Sequence, residues 1–273
     1  MSHISKISIL ETKQLLHDHK QGMGPTLLSH KYKYSETSIK NWLHARDAYV
    51  YKKPNAFVKK YECNDNFFEK INTEEKAYWL GFILADGCVT NNRLAINLSK
   101  KDHNHLIKFK QDIKSNGKII MLNKKSEGII AKHGKKKFYE QCYLGIYSPK
   151  ISSDLFKLGI TENKTFTCNL PKIDNEMQSH LLRGLFDGDG WISFRSADGQ
   201  PEIGVMGNKS ILNSVKQIFN RNCSVNNLKI RPIKNMFRLR YSGKNKCSSI
   251  AKYLYQNANI FLDRKFKSAQ KLF

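Results

Sequence analysis

The feature that most restricts what this chain can fold into is a segment written twice. Ala77-Tyr-Trp-Leu-Gly-Phe-Ile-Leu-Ala-Asp-Gly87 and His180-Leu-Leu-Arg-Gly-Leu-Phe-Asp-Gly-Asp-Gly190 align without a gap. Gly81 matches Gly184, Ala85 matches Gly188, Asp86 matches Asp189 and Gly87 matches Gly190, all at the offset of 103 residues that separates Asp86 from Asp189. A second echo follows, where Tyr147-Ser-Pro-Lys150 and Ser152-Ser153-Asp154-Leu155 resemble Tyr241-Ser-Gly-Lys244 and Ser248-Ser249-Ile250. A repeat of this period implies two related half-domains, here 72–170 and 174–273.

Each motif reads as a helix. Asn72 with Glu75 makes a capping-box start for the first, Asp174 is the N-cap expected of the second, and Gly87 and Gly190 stand where a C′ glycine stops a helix. Alternating runs at 93–99, 192–195, 203–206 and 237–241 read as strands. Helical spacing returns at 104–113, 151–158, 209–220 and 248–257. Helices and strands in this order belong to the α+β class.

The pairs Gly81/Ala85 and Gly184/Gly188 place small residues four apart, a stripe that lets two helices approach closely. The motif helices are therefore expected to pack on each other, leaving Asp86 and Asp189 as neighbours at their C-terminal ends. An anion there costs up to about 1 kcal/mol against the helix dipole, and two carboxylates repel each other as well. A hard divalent cation such as Mg2+ offsets both, and the carbonyls of Ala85 and Gly188 are further oxygen donors for it. Asp187 faces another way on its helix and is read as a surface or interhelix residue.

Composition supplies the partner. Lys and Arg number 47 against 23 Asp and Glu, a net charge of +24, yet 40% of residues are hydrophobic and 11% aromatic, enough for packed cores. Such a chain suits a polyanion, double-stranded DNA before a membrane surface. No stretch reaches the length of a membrane span and the first residues lack an apolar run, so no membrane contact and no secretion are expected. A cytoplasmic place, in a bacterial or phage-infected cell, or an organellar matrix follows. The six scattered cysteines indicate neither zinc nor disulfides.

Residues 1–50 form a separate all-α segment: a helix at 12–20, another from Pro25 to Tyr32, and a third capped by Ser35. This is the outline of a helix-turn-helix DNA-binding module, with Lys40, Asn41, His44 and Arg46 facing outward. Residues 51–71 read as a basic linker. In the half-domains, Arg238 and Arg240 alternate with apolar neighbours, Lys229 and Arg231 flank Ile230, and Arg195 closes a strand, so these are expected on a DNA-facing surface. Lys135, Lys136 and Lys137 make a basic hairpin tip suited to phosphate.

The two motifs resemble those of single-chain LAGLIDADG homing endonucleases. The flanking phrases Thr73-Glu-Glu-Lys-Ala-Tyr-Trp-Leu-Gly-Phe, Leu158-Gly-Ile-Thr-Glu-Asn-Lys164 and Leu262-Asp-Arg-Lys265 extend the likeness from about residue 66 to the end. The resemblance implies a pseudo-twofold pair of αββαββα half-domains with a saddle of strands lying on DNA. It also implies a monomer that cuts both strands of a long asymmetric site with magnesium, the metals held by Asp86 and Asp189. Leu84 departs from the motif where Asp187 keeps its earlier acid. The helix-turn-helix is similar to accessory modules on phage and bacterial members. The family carries basic residues around its metal centre; Lys150 and Lys244, at matching strand-to-helix junctions, are the candidates here. The alternatives are a non-catalytic DNA-binding regulator or a maturase acting on intron RNA.

Overall fold

In the computed structural model, which describes residues 7–21, 23–46, 48, 61–125, 138–162, 164–226 and 228–273, several helices begin at a small polar side chain that caps them. The chain divides into two units, Met1–Val58 and Lys59–Phe273. In the first, Ser8 accepts from Glu11 N at 3.1 Å to open α1 (Ile9–Lys20). Pro25 begins α2 (Pro25–Tyr32), where its fixed φ suits the first turn. Lys33, at φ 62°, turns the chain, and Ser35 accepts from Ser38 N at 3.0 Å to open α3 (Glu36–His44). Ile39, Trp42 and Leu43, the apolar stripe of α3, close with Leu15 and Leu28 into a small core.

The second unit repeats one plan. Its first half runs α4 (Glu74–Asp86), β1 (Gly87–Thr90), β2 (Arg93–Ser99), α5 (His103–Asp112), β3 (Ile120–Lys125), β4 (Phe138–Tyr147), α6 (Pro149–Lys157) and a single turn, α7 (Lys164–Thr167). Its second half runs α8 (Gln178–Asp189), β5 (Gly190–Phe194), β6 (Pro201–Gly207), α9 (Lys209–Asn222), β7 (Arg231–Ile233), β8 (Met236–Ser242), α10 (Lys244–Tyr255) and α11 (Asp263–Gln270). Among the described residues the strands form two antiparallel four-stranded sheets, ordered β1-β2-β4-β3 and β5-β6-β8-β7. The matching orders are the sheet-level form of the sequence repeat. Leu94, Ile96, Cys142, Leu144 and Ile146 point inward from the first sheet, and Ile203, Val205, Leu239 and Tyr241 from the second, into one continuous core.

The halves are held along the α4–α8 seam. A Cβ on Gly81 would lie 1.9 Å from Leu181 O, and one on Gly184 the same distance from Tyr78 O, so backbone meets backbone there. The expected small-residue stripe is this contact. Each half also sends its end across to the other. Asn208 Nδ2 donates to Cys168 O at 2.8 Å, while Arg264 pairs with Asp102 at 3.1 Å and Lys108 with Asp263 at 2.7 Å.

Some expectations need correction. The cap of α4 is Thr73, not Asn72; its hydroxyl accepts from Lys76 N at 3.4 Å. Gly87 and Gly190 do not adopt a left-handed C′ conformation. Their φ values of −76° and −91° are extended, and each passes directly from helix into strand. Glycine is required there by space, because a Cβ on Gly87 would sit 2.8 Å from Ile83 O and one on Gly190 2.4 Å from the Phe186 ring. The 61–71 part of the expected linker is packed structure: Phe67 and Phe68 enter the core, and Asn64 N donates to Ile113 O at 2.8 Å.

Candidate active site and DNA-facing surface

The seam ends at its acids. Asp86 closes α4 and Asp189 closes α8, and a Cβ on Gly188 would meet Asp86 Oδ2 at 3.2 Å, so the two helix ends touch. Among the described residues neither carboxylate takes part in an ion pair. Asp86 is open to solvent on one side, yet the protein crowding it raises its pKa, against the pull of Lys164, Arg264 and Lys265. Asp189, half-buried, is pushed up to about 6 by burial and then by the charge of Asp86. The expected electrostatic conflict is thus present, and two carboxylates lacking a paired cation are oxygen donors that suit a hard divalent ion. Among the described residues no group of three or more His, Cys, Asp or Glu side chains forms a closed metal cage.

The cations beside the acids are not the expected pair. Lys150 donates to Asp154 at 2.6 Å and to Glu69 at 3.2 Å, and Lys244 is exposed at the start of α10. The register explains their distance from the site. Tyr147, just before α6, pairs with Arg93 at the far end of the β1–β2 hairpin, and Ser242, just before α10, pairs with Glu202 near the far end of β5. At about 3.3 Å per residue, three or four strand residues put each junction roughly 10 Å or more from its aspartate.

Lys164 and Lys265 occupy the place instead. Lys164 Nζ donates to Ala85 O at 3.1 Å, and Lys265 Nζ donates to Gly190 O. Burial lowers the pKa of both, that of Lys265 to about 8, while the pull of Asp86 and Asp189 opposes it. They come from corresponding segments: Lys164 follows Asp86 by 78 residues and Lys265 follows Asp189 by 76. That near-equal spacing, inside the two flanking phrases, is the signal by which the sequence could have singled them out. Ala85 O therefore already accepts a lysine. A cleft of about 340 Å³ opens beside Lys164, walled by β1, Thr161 and Glu162.

Asp187 is an interhelix residue, fully buried. It accepts from Tyr78 Oη of α4 at 2.7 Å, from Tyr255 Oη at 2.5 Å and from Leu262 N at 2.7 Å. Tyr78 gives its proton to Asp187, so toward His105 Nε2, 2.8 Å away, its oxygen can only accept. His105 therefore donates from Nε2, and burial, which drives its pKa down to about 3, keeps the ring neutral.

The outward sheet faces carry the expected polar residues unequally. Lys229, Arg231, Arg238 and Arg240 line one groove of about 400 Å³ with Ser242 and Lys246. Arg195 sits in the β5–β6 hairpin, paired with Asp198 at 2.6 Å. In the first unit Asn41 and His44 are exposed on α3, but Lys40 pairs with Glu36 at 2.7 Å and Arg46 lies over the Trp42 ring at 4.1 Å. Lys135, Lys136 and Lys137 lie outside the described residues. Among the described residues no helix is long and apolar enough to cross a membrane.

Neither protein-family models nor curated proteins match the sequence. Solved structures match the fold. The homing endonuclease I-WcaI bound to its DNA recognition sequence aligns with a TM-score of 0.50 at 13% identity, over 79% of this chain and 95% of that one. The LAGLIDADG meganuclease I-AabMI bound to uncleaved DNA aligns at 0.46 and 15%, over 71% and 87%. Full-length DUF199/WhiA from Thermatoga maritima aligns at 0.43 and 16%, over 76% of this chain and 64% of that one. The α+β architecture is that of the LAGLIDADG homing endonuclease fold.

Proposed function

We propose that the protein is a sequence-specific DNA endonuclease of the homing type, which binds one long asymmetric duplex site as a monomer and hydrolyses both strands with a divalent cation, Mg2+. The observation that carries this reading is the meeting of Asp86 and Asp189 at the end of the seam, with Lys164 and Lys265 beside them. The fold likeness to I-WcaI with its DNA recognition sequence supports DNA as the substrate, as does the net charge of +24. Asp86, Asp189 and the carbonyl of Gly188 are the groups that would hold the metal. When bound, the cation activates water and stabilises the leaving oxygen of a phosphodiester. Lys164 and Lys265, now resting on backbone carbonyls, can turn their ammonium groups to the phosphate oxygens as negative charge grows there. The outline α2, turn, α3 supports an added DNA contact by the first unit through Asn41 and His44.

The test replaces Asp86 and Asp189 with Asn, one at a time, in the full chain. Magnesium-dependent cleavage of a site selected from randomised DNA should fall by about 1,000-fold or more, since an amide lacks the charge that holds the metal. Gel-shift affinity should persist, because it rests on cations spread over the saddle. Thermal melting should be unchanged or slightly raised, because one of two repelling carboxylates has gone. Undiminished cleavage by both variants removes the catalytic assignment. Selective binding without cleavage by the unaltered protein favours a non-catalytic DNA-binding regulator.

A further inference from the structure

The two sheets turn chemically different faces outward. On β2 and β4 of the first, Ala95 opposes Gly145, Asn97 opposes Tyr143 and Ser99 opposes Gln141. Asn97 Nδ2 donates to Gln141 Oε1 at 3.3 Å, and Ile120, opposite Tyr143, is 49% exposed. Arg93 is the outward cation of these strands among the described residues. It is held over the Tyr147 ring at 5.9 Å, with Tyr147 also accepting from its guanidinium. On the second sheet Arg231 opposes Arg238, Met206 opposes Arg238 from the other side, and Gly204 opposes Arg240. The Trp191 ring takes the place that a side chain on Gly204 would have, where a Cβ would meet it at 2.4 Å.

Glu202 is the informative neighbour. It sits 3.3 Å from Arg240 on the same face. A carboxylate in that position repels a phosphate, so this pair is unsuited to gripping the backbone alone. It fits the edge of a G·C pair, whose guanine offers O6 and N7 to a guanidinium and whose cytosine offers an N4 donor to a carboxylate. The first sheet has the opposite vocabulary. The Gln141 amide matches the N6 and N7 of adenine, and exposed Ile120 matches the methyl group of thymine.

We infer that the half-site under the second sheet is selected for G·C pairs by Arg238, Arg240 and Glu202, and the half-site under the first for A·T pairs by Gln141 and Ile120. This rests on reading the chain as a protein that lays both sheets on duplex DNA. The test exposes the full chain to a randomised duplex library with Mg2+ and sequences the bound and the cleaved pools separately. One side of the centre should be enriched in G·C and the other in A·T. The double variant Arg238→Ala/Arg240→Ala should lower base selectivity roughly 10-fold at positions of the G·C side and leave the other side unchanged. Ile120→Ala/Gln141→Ala should relax only the A·T side. Equal composition on the two sides, or arginine variants that relax both alike, overturns the inference. Because the bound pool alone decides the asymmetry, a lack of cutting overturns only the endonuclease reading, and a lack of any selective binding overturns both.

Discussion

The two motif helices share a backbone plan and differ in what they bury. At the common offset, Leu80 matches Arg183 and Leu84 matches Asp187, and none of the four is more than 4% exposed. In the first half the pair is two leucines in an apolar core. In the second it is a cation and an acid, each fully engaged. Arg183 donates to Ile260 O at 2.8 Å, to Leu254 O at 2.9 Å and to Glu74 at 2.6 Å. Glu74, at the start of α4, also accepts from Asn259 N at 2.8 Å. Together with the bonds of Asp187 to Tyr78, Tyr255 and Leu262 N, these contacts fasten α4, α10 and the 256–262 connection to α8. That connection leads directly into α11, which carries Lys265. One fold position thus tolerates either apolar packing or a satisfied polar network, provided that no buried polar group is left alone.

Swapping the two solutions tests this directly. Leu84→Asp places a carboxylate where its neighbours are apolar, and it should cost about 4 kcal/mol in urea unfolding, the penalty of an unpaired buried charge. A loss under about 1 kcal/mol would mean that the first half can also supply donors. Asp187→Leu should cost less, about 3 kcal/mol, by leaving the Tyr78 and Tyr255 hydroxyl protons and the Leu262 N–H without their acceptor. Adding Tyr255→Phe should recover part of that loss, since one orphan disappears; a further loss instead would make ring packing, not hydrogen bonding, the role of Tyr255.

A further effect is graded with pH. His105 stays neutral in the folded protein down to about pH 3, whereas the unfolded chain takes up its proton near pH 6.5. The unfolded state therefore binds one more proton between those values, and stability falls as pH drops through that window, by about 1.4 kcal/mol per unit at most. His105→Gln should remove that slope in urea midpoints measured from pH 7 to pH 4. An unchanged slope would show that other groups set the acid sensitivity.

Much of this was legible in the chain. The duplicated motif, the small-residue stripes and the paired aspartates are local patterns, and repetition made each half a check on the other. The α3 stripe and its serine cap were equally local. Other features were not. Strand β4 alternates, but its outward face carries Tyr143 and Tyr147, so its period is masked by aromatics on the wrong side. Phe67 and Phe68 lie in a lysine-flanked stretch that composition alone reads as a linker.

What the sequence by itself determined is the seam and its acids, because a helix fixes the spacing of its own residues and a missing Cβ fixes how closely two backbones approach. What only the tertiary structure decided is which basic groups meet those acids. Lys150 and Lys244 share the best local echo, yet strand register carries them to the far ends of the hairpins. Lys164 and Lys265 reach the site from segments 78 and 76 residues along the chain. Such a meeting is set by sheet order and by the crossing of each half's end onto the other, and no local spacing encodes it.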